Sequence, residues 1–167
     1  GGPVTLRIQV SDLLSRPGHG REDTAFLRLC FQVGDASVDD EAAVQVRLRS
    51  LTDGVVARGT AATTVDLVCT RCLTTWSEPL SATFEAVFRL HPEDADDESA
   101  IEEGGWIDLE PIVHDEVSLA FPDIPLCRPD CAGLCQTCGT DLNTAPCGGH
   151  GDEPVSPFAA LKQLFEP

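Results

Sequence analysis

Three stretches in the first third of the chain alternate apolar and polar residues with a period of two. In VTLRIQV at 4–10, Val4, Leu6, Ile8 and Val10 stand against polar or small neighbours. In AFLRLCFQV at 25–33, Leu27, Leu29, Phe31 and Val33 share one face. In AAVQVRLRSL, Val44, Val46 and Leu48 oppose Gln45, Arg47 and Arg49. Alternation of this kind predicts half-buried antiparallel strands. Gly34-Asp35 and Asp53-Gly54 mark turns, the second a hairpin signal between RLRSLT and VVARGTA. Two further strands are expected, from about Val55 to Val68 and from Leu80 to Leu90, with CTRCL at a strand end or turn between them. Cys30 lies on the mixed face of its strand and is expected as a packed side chain rather than a ligand.

The period then changes. HPEDADDESAIEEGG at 91–105 is acidic, contains Pro and Gly, and predicts a flexible loop. WIDLEPIVHDEVSLAFP predicts a helix capped by Asp108, with Pro111 in its first turn, Ile112, Val113, Val117 and Ala120 on one side, and Pro122 at its end. His114 has no second histidine at the spacing of a catalytic zinc helix, so it reads as a partly exposed helical residue. Ser156-Pro157 opens a short amphipathic helix whose Phe158, Leu161, Leu164 and Phe165 would dock or meet a partner. The fold class that follows is α+β: a mainly antiparallel β body with one or two short helices and a zinc-stapled C-terminal segment. The body spans 1–126, a cysteine-rich segment 127–151, and a short C-terminal helix 152–167.

Seven of the eight cysteines fall in two clusters, Cys69 with Cys72 and a dense run from Cys127 to Cys147 that ends on His150. Thiolate and imidazole ligands at such spacings can converge on a tetrahedral metal. Cys135-Gln-Thr-Cys138-Gly139 reads as a zinc knuckle, and Cys147-Gly-Gly-His150 can close the same site. Cys69, Cys72, Cys127 and Cys131 then form a second complete set across 54 intervening residues. The competing assignment places a single Zn2+ on Cys69, Cys72, Cys135 and Cys138. One or two zinc ions per chain are therefore expected. Cys69-Thr-Arg-Cys72 also has thioredoxin-type spacing, with Arg71 able to lower a thiol pKa, but Leu73-Thr-Thr-Trp76 leads toward a strand rather than a helix. No glycine-rich phosphate loop, serine elbow or histidine pair is present, so neither an enzyme nor a small-molecule substrate is expected.

The formal charge of −17 is unevenly spread. Residues 1–50 carry six Arg against seven acidic side chains, whereas residues 92–123 carry twelve acidic side chains and no Lys or Arg. Counterion release from phosphates needs clustered cations, so coating of naked nucleic acid is disfavoured, and an acidic surface suits a basic protein partner. Arg16, Arg21, Arg28, Arg47, Arg49 and Arg71 are the candidate phosphate contacts. No apolar run approaches a membrane span and no signal peptide opens the chain, so a cytoplasmic protein with no membrane partner is expected.

Several segments together resemble the YceD family of bacterial proteins. They are Asp12-Leu13-Leu14 followed by Arg16-Pro17-Gly18, CTRCL at 69–73, IDLEPIVHDEVSLAFPDIPLC at 107–127, CAGLCQTCGTDLN at 131–143, and Pro157-Phe158-Ala159-Ala160-Leu161-Lys162. The resemblance implies a role in ribosome biogenesis, supporting 23S rRNA accumulation through contact with precursor rRNA or an assembling large-subunit particle. An acidic adaptor for a basic ribosomal protein, or a thiol-redox regulator, are the alternatives.

Overall fold

The computed structural model describes residues 6–91 and 99–148. Four long strands, β2 (Gly20–Val33), β3 (Ala36–Ser50), β4 (Gly54–Val68) and β5 (Thr75–Arg89), form an antiparallel meander in sequential order. Two short strands, β1 (Arg7–Gln9) and β6 (Trp106–Asp108), pair antiparallel as a separate ribbon, Ile8 opposite Ile107. Helices α1 (Ser11–Leu14) and α2 (Glu110–Ala120) follow β1 and β6.

The period-two pattern directs Leu27, Leu29, Val44, Val46, Leu48, Val55, Ala57, Val65 and Leu67 to one face of the meander. That face is covered by Val10, Leu13, Ile107, Leu109, Val113, Val117 and Phe121 from the ribbon and helices. Burial of this continuous apolar layer is the main stabilising term. α2 packs against β5 and reaches β2, where the His114 ring rests 4.2 Å from Phe31. Asp108 accepts the backbone N–H of Glu110 at 3.0 Å from one position before the capping residue, Leu109. The opposite sheet face is polar and exposed, and Cys30 lies on it; the expectation that it packs is corrected. Its inward neighbours Leu27 and Leu29 fill that side of the strand instead.

β3 begins six residues earlier than its hydrophobic pattern, because Asp39-Asp40-Glu41 continues as strand through a register shift between Val38 and Ala43. Asp40 bridges that bulge, its carboxylate accepting the Thr64 N–H at 3.0 Å and the Thr63 hydroxyl at 3.3 Å. The Thr64 and Glu41 N–H groups hold the carboxyl below the usual aspartate value. A depressed folded pKa contributes stability above the unfolded value, near 4, and loses it as pH falls through the folded value. Asp40→Asn is expected to flatten the stability profile between about pH 5 and 3, checked by urea unfolding at each pH; an unchanged profile contradicts the bridge.

Residues 99–105, read as loop from composition, are tied down in part: Ser99 accepts from the Arg89 N–H, Ile101 donates to Arg89, and Glu102 pairs with Arg7. Val4, residues 92–98, His150 and the helix expected near 158–165 lie outside the described residues. Among the described residues no helix is long and apolar enough to cross a membrane.

Candidate metal centre

The turn joining β4 to β5 carries Cys69 and Cys72, and the chain leaving α2 returns to this turn with Cys127 and Cys131. The four sulfurs all lie within 4.8 Å of one another. Cys69 and Cys131 are 3.7 Å apart and Cys72 and Cys127 3.6 Å apart. A disulfide requires about 2.05 Å. The edge of a sulfur tetrahedron around zinc, with bonds near 2.3 Å, is about 3.75 Å. The spacing therefore fits four sulfurs on a common ion and not a pair of disulfides. Cys69, Cys72 and Cys131 are buried beside Leu126, Leu134 and Trp76, which shield the group from water.

The backbone around this group favours thiolates. Burial opposes ionisation of Cys69, but the N–H groups of Cys72, Cys127 and Arg71 outweigh it and bring its pKa to about 6. The hydroxyl and N–H of Thr74 lower Cys72. Loss of water around its sulfur, together with the crowding sulfurs of Cys72, Cys131 and Cys69, pushes Cys127 up to about 12. Four such groups cannot all ionise against one another unless a cation compensates them.

A second group gathers Cys135, Cys138 and Cys147, again within 4.8 Å, with Cys138 and Cys147 at 3.5 Å. Its frame repeats that of the first. Leu73 N–H donates to the Cys69 carbonyl and Cys69 N–H to Thr74; Gly139 N–H donates to Cys135 and Cys135 N–H to Thr140. Thr74 lies 3.1 Å from the Cys72 sulfur and Thr140 3.0 Å from the Cys138 sulfur. Thr140, through its hydroxyl and N–H, brings Cys138 to about 6, and the N–H groups of Cys138 and Thr137 lower Cys135. CTRCLT and CQTCGT are thus two copies of one turn. The repeat is legible in the shared threonine but masked where glycine is replaced by leucine.

That replacement has a cost. The residue after the second cysteine is left-handed in both copies, with φ of 76° at Gly139 and 62° at Leu73. A bulky side chain there is strained by about 1–2 kcal/mol. Leu73 is also 60% exposed, so burial does not offset the strain.

Asn143, unremarked in the cysteine pattern, joins the two groups. It lies on the loop between Cys138 and Cys147, donates to the Cys131 sulfur at 3.3 Å, and accepts the Ala132 N–H at 2.8 Å. The segment is held to the sheet by Thr70 N–H on the Pro125 carbonyl, Leu134 N–H on the Arg71 carbonyl, and the Arg71 guanidinium on the Cys131 carbonyl at 3.0 Å.

Arg71 is therefore engaged within the cysteine turns. The other arginines considered as phosphate contacts divide similarly. Arg21 is half-buried, paired with Asp12 and Asp23, and donates to the Gln9 carbonyl, clamping β1 and α1 onto β2. Arg28 pairs with Asp39 and Arg47 with Glu22. Strand register builds a row, Glu22–Arg47–Arg58–Glu85, in which each arginine meets a carboxylate. Arg16 and Arg49 form no ion pair among the described residues.

The chain resembles known proteins along most of its length. An uncharacterized protein of Mycobacterium tuberculosis and one of Mycobacterium bovis are each 32% identical to it over 173 residues, covering 97% of this chain and 82% of theirs. An uncharacterized protein of Mycobacterium leprae is 32% identical over 131 residues, covering 74% of this chain and 59% of its own. No solved structure matches it significantly. Residues 57–165, which include the two inner cysteine turns and both sulfur groups, match the family model described as large ribosomal RNA subunit accumulation protein YceD. The chain belongs to the YceD family.

Proposed function

We propose that this protein is a non-enzymatic, cytoplasmic factor in large ribosomal subunit biogenesis that supports 23S rRNA accumulation by contact with the assembling particle. The family supplies the process. The observation that carries the mode of action is the sulfur quartet, three of whose four cysteines are buried. Four protein sulfurs complete the shell of a tetrahedral zinc and leave no position for a substrate, so the metal's contribution is structural. Cys69, Cys72, Cys127 and Cys131 hold one Zn2+. Cys135, Cys138 and Cys147 hold a second, with His150 as its fourth ligand. The pair of ions fixes residues 127–148 against the β4–β5 end of the sheet.

The charge distribution favours contact through protein over contact through naked RNA. With a formal charge of −17 and most of the candidate arginines neutralised by carboxylates or used on carbonyls, little positive surface remains for phosphates. Arg16 and Arg49 are the remaining phosphate contacts in this reading. The adaptor role, in which the acidic body holds a basic ribosomal protein, gains from the same observation. A thiol-redox regulator would instead cycle a Cys69–Cys72 disulfide and carry no stoichiometric metal.

Depleting the protein in its own host and measuring the ratio of large- to small-subunit rRNA, together with its sedimentation on gradients, tests the reading. The ratio is expected to fall and the protein to travel with large-subunit precursors. An unchanged ratio, with the protein confined to the free pool, would contradict it.

A further inference from the structure

The strained, exposed Leu73 stands at the mouth of a cleft of about 490 Å³ between the first cysteine turn, the β2–β3 turn and the end of α2. Val33, Val68, Leu119 and Phe121 contribute to its apolar lining. Leu73 at 60%, Leu119 at 77% and Ile124 at 70% are the three most exposed large apolar side chains among the described residues, and all lie on or beside this cleft. Leucine at position 73 serves neither backbone nor core. The equivalent position in the second turn is Gly139, which adopts the same conformation without strain. A bulky residue that is both strained and exposed marks a candidate contact surface.

The charges around the cleft select the occupant. Asp35 and Asp123 are its charged lining residues, and among the described residues no Lys or Arg lines it. A second copy of the chain, at −17, is repelled. The chain's own residues 149–167 carry Asp152, Glu153 and Glu166 against Lys162, so they do not complement the rim either. Nucleic acid offers neither positive charge nor an aliphatic anchor. We infer that this cleft docks a cationic protein segment with an aliphatic or aromatic anchor, such as the basic extensions by which ribosomal proteins enter RNA. The proposal rests on the ribosomal reading above for the source of that segment, and on Leu73, Leu119 and the two aspartates for its chemistry.

The test uses the full chain and fluorescent synthetic peptides tiling the basic extensions of the host's large-subunit ribosomal proteins, read by anisotropy. At least one peptide is expected to bind, more weakly as salt rises. Leu73→Gly is expected to weaken that binding tenfold or more while melting no lower than the parent, because glycine relieves the strained backbone. Leu119→Ser, away from the cysteines, is expected to weaken it similarly. Binding that is unaffected by both changes overturns the proposal. So does binding of 23S rRNA fragments alone, self-association abolished by Leu119→Ser, or a peptide site that opens only when residues 149–167 are removed. Gradient sedimentation of the same variants separates the two levels. A parent that travels with large-subunit precursors and a Leu73→Gly, Leu119→Ser double variant that does so equally well sinks the cleft and leaves the ribosomal role. A parent confined to the free pool, with peptide binding intact, sinks the ribosomal role and leaves the cleft.

Discussion

Replacing Cys69 or Cys131 by serine is expected to free the segment after Leu126 from the sheet, while the four-stranded meander keeps its fold. The magnitudes decide this. Apart from the sulfurs, the segment is attached by a few hydrogen bonds at Thr70, Arg71 and Leu134 and by the packing of Leu126 and Leu134 against the cysteine group. Each such bond contributes about 1 kcal/mol net. A structural zinc supplies roughly 10 kcal/mol or more of apparent folding energy in small zinc peptides. A zinc held by the quartet would therefore dominate the attachment. The meander's buried apolar layer is distinct from the sulfur group and shares only Trp76 with it at its margin, so it is expected to survive the loss. Limited subtilisin digestion is expected to cut between residues 127 and 148 at least tenfold faster in Cys69→Ser than in the parent, leaving a resistant sheet fragment. Trp76 packs on the sulfur group, so tryptophan emission should shift in the same variant. Cys30→Ser, on the exposed sheet face, changes neither. Equal protection of the tail in Cys69→Ser would mean that the quartet does not hold it.

Gly59→Ala is expected to damage the sheet severely. Gly59 lies between Val46 of β3 and Phe84 of β5 on the inner face, under the buried Phe84 ring. A Cβ there would stand 2.2 Å from the Gln45 carbonyl oxygen, 2.6 Å from Phe84 Cζ and 3.0 Å from Val46 Cα. Two of those neighbours are backbone in a hydrogen-bonded central strand, so relief requires the ladder or the ring to move. Overpacking of this kind costs about 3 kcal/mol, and on the order of 10 °C in the melting midpoint for a chain of this size. Thermal and urea unfolding measure it, and a loss below about 1 kcal/mol would contradict the close packing of Phe84 on this strand.

The reach of the sequence differs from element to element for identifiable reasons. Alternation located β4 almost to the residue, because its inner positions are uniformly apolar or small. β5 begins at Thr75 rather than Leu80, and Pro79 hid the difference. As an edge strand, β5 tolerates a residue without an N–H, which a central strand does not. The start of β3 was obscured by Asp39-Asp40-Glu41, in which the Asp40 carboxylate serves the bulge and Asp39 pairs with Arg28. Pairing of β1 with β6, across about a hundred residues, left no local trace.

The site was legible in residue type more than in partnership. Spacing singled out the cysteines, yet it left open which distant pair faces Cys69 and Cys72. The folded chain brings Cys127 and Cys131 there and gathers Cys135 and Cys138 with Cys147. The doubled turn was hidden because Leu73 occupies the position where the second copy has glycine. The arginines could not be assessed from periodicity, because their carboxylate partners lie on neighbouring strands and only register reveals them.

Native mass spectrometry of the purified full chain, followed by X-ray absorption at the zinc edge, tests the central claim most directly. Two zinc ions per chain are predicted, with an averaged shell of seven sulfurs to one nitrogen from the quartet and from Cys135, Cys138, Cys147 and His150. A chain without stoichiometric zinc, or one whose cysteines are paired as disulfides, would contradict it.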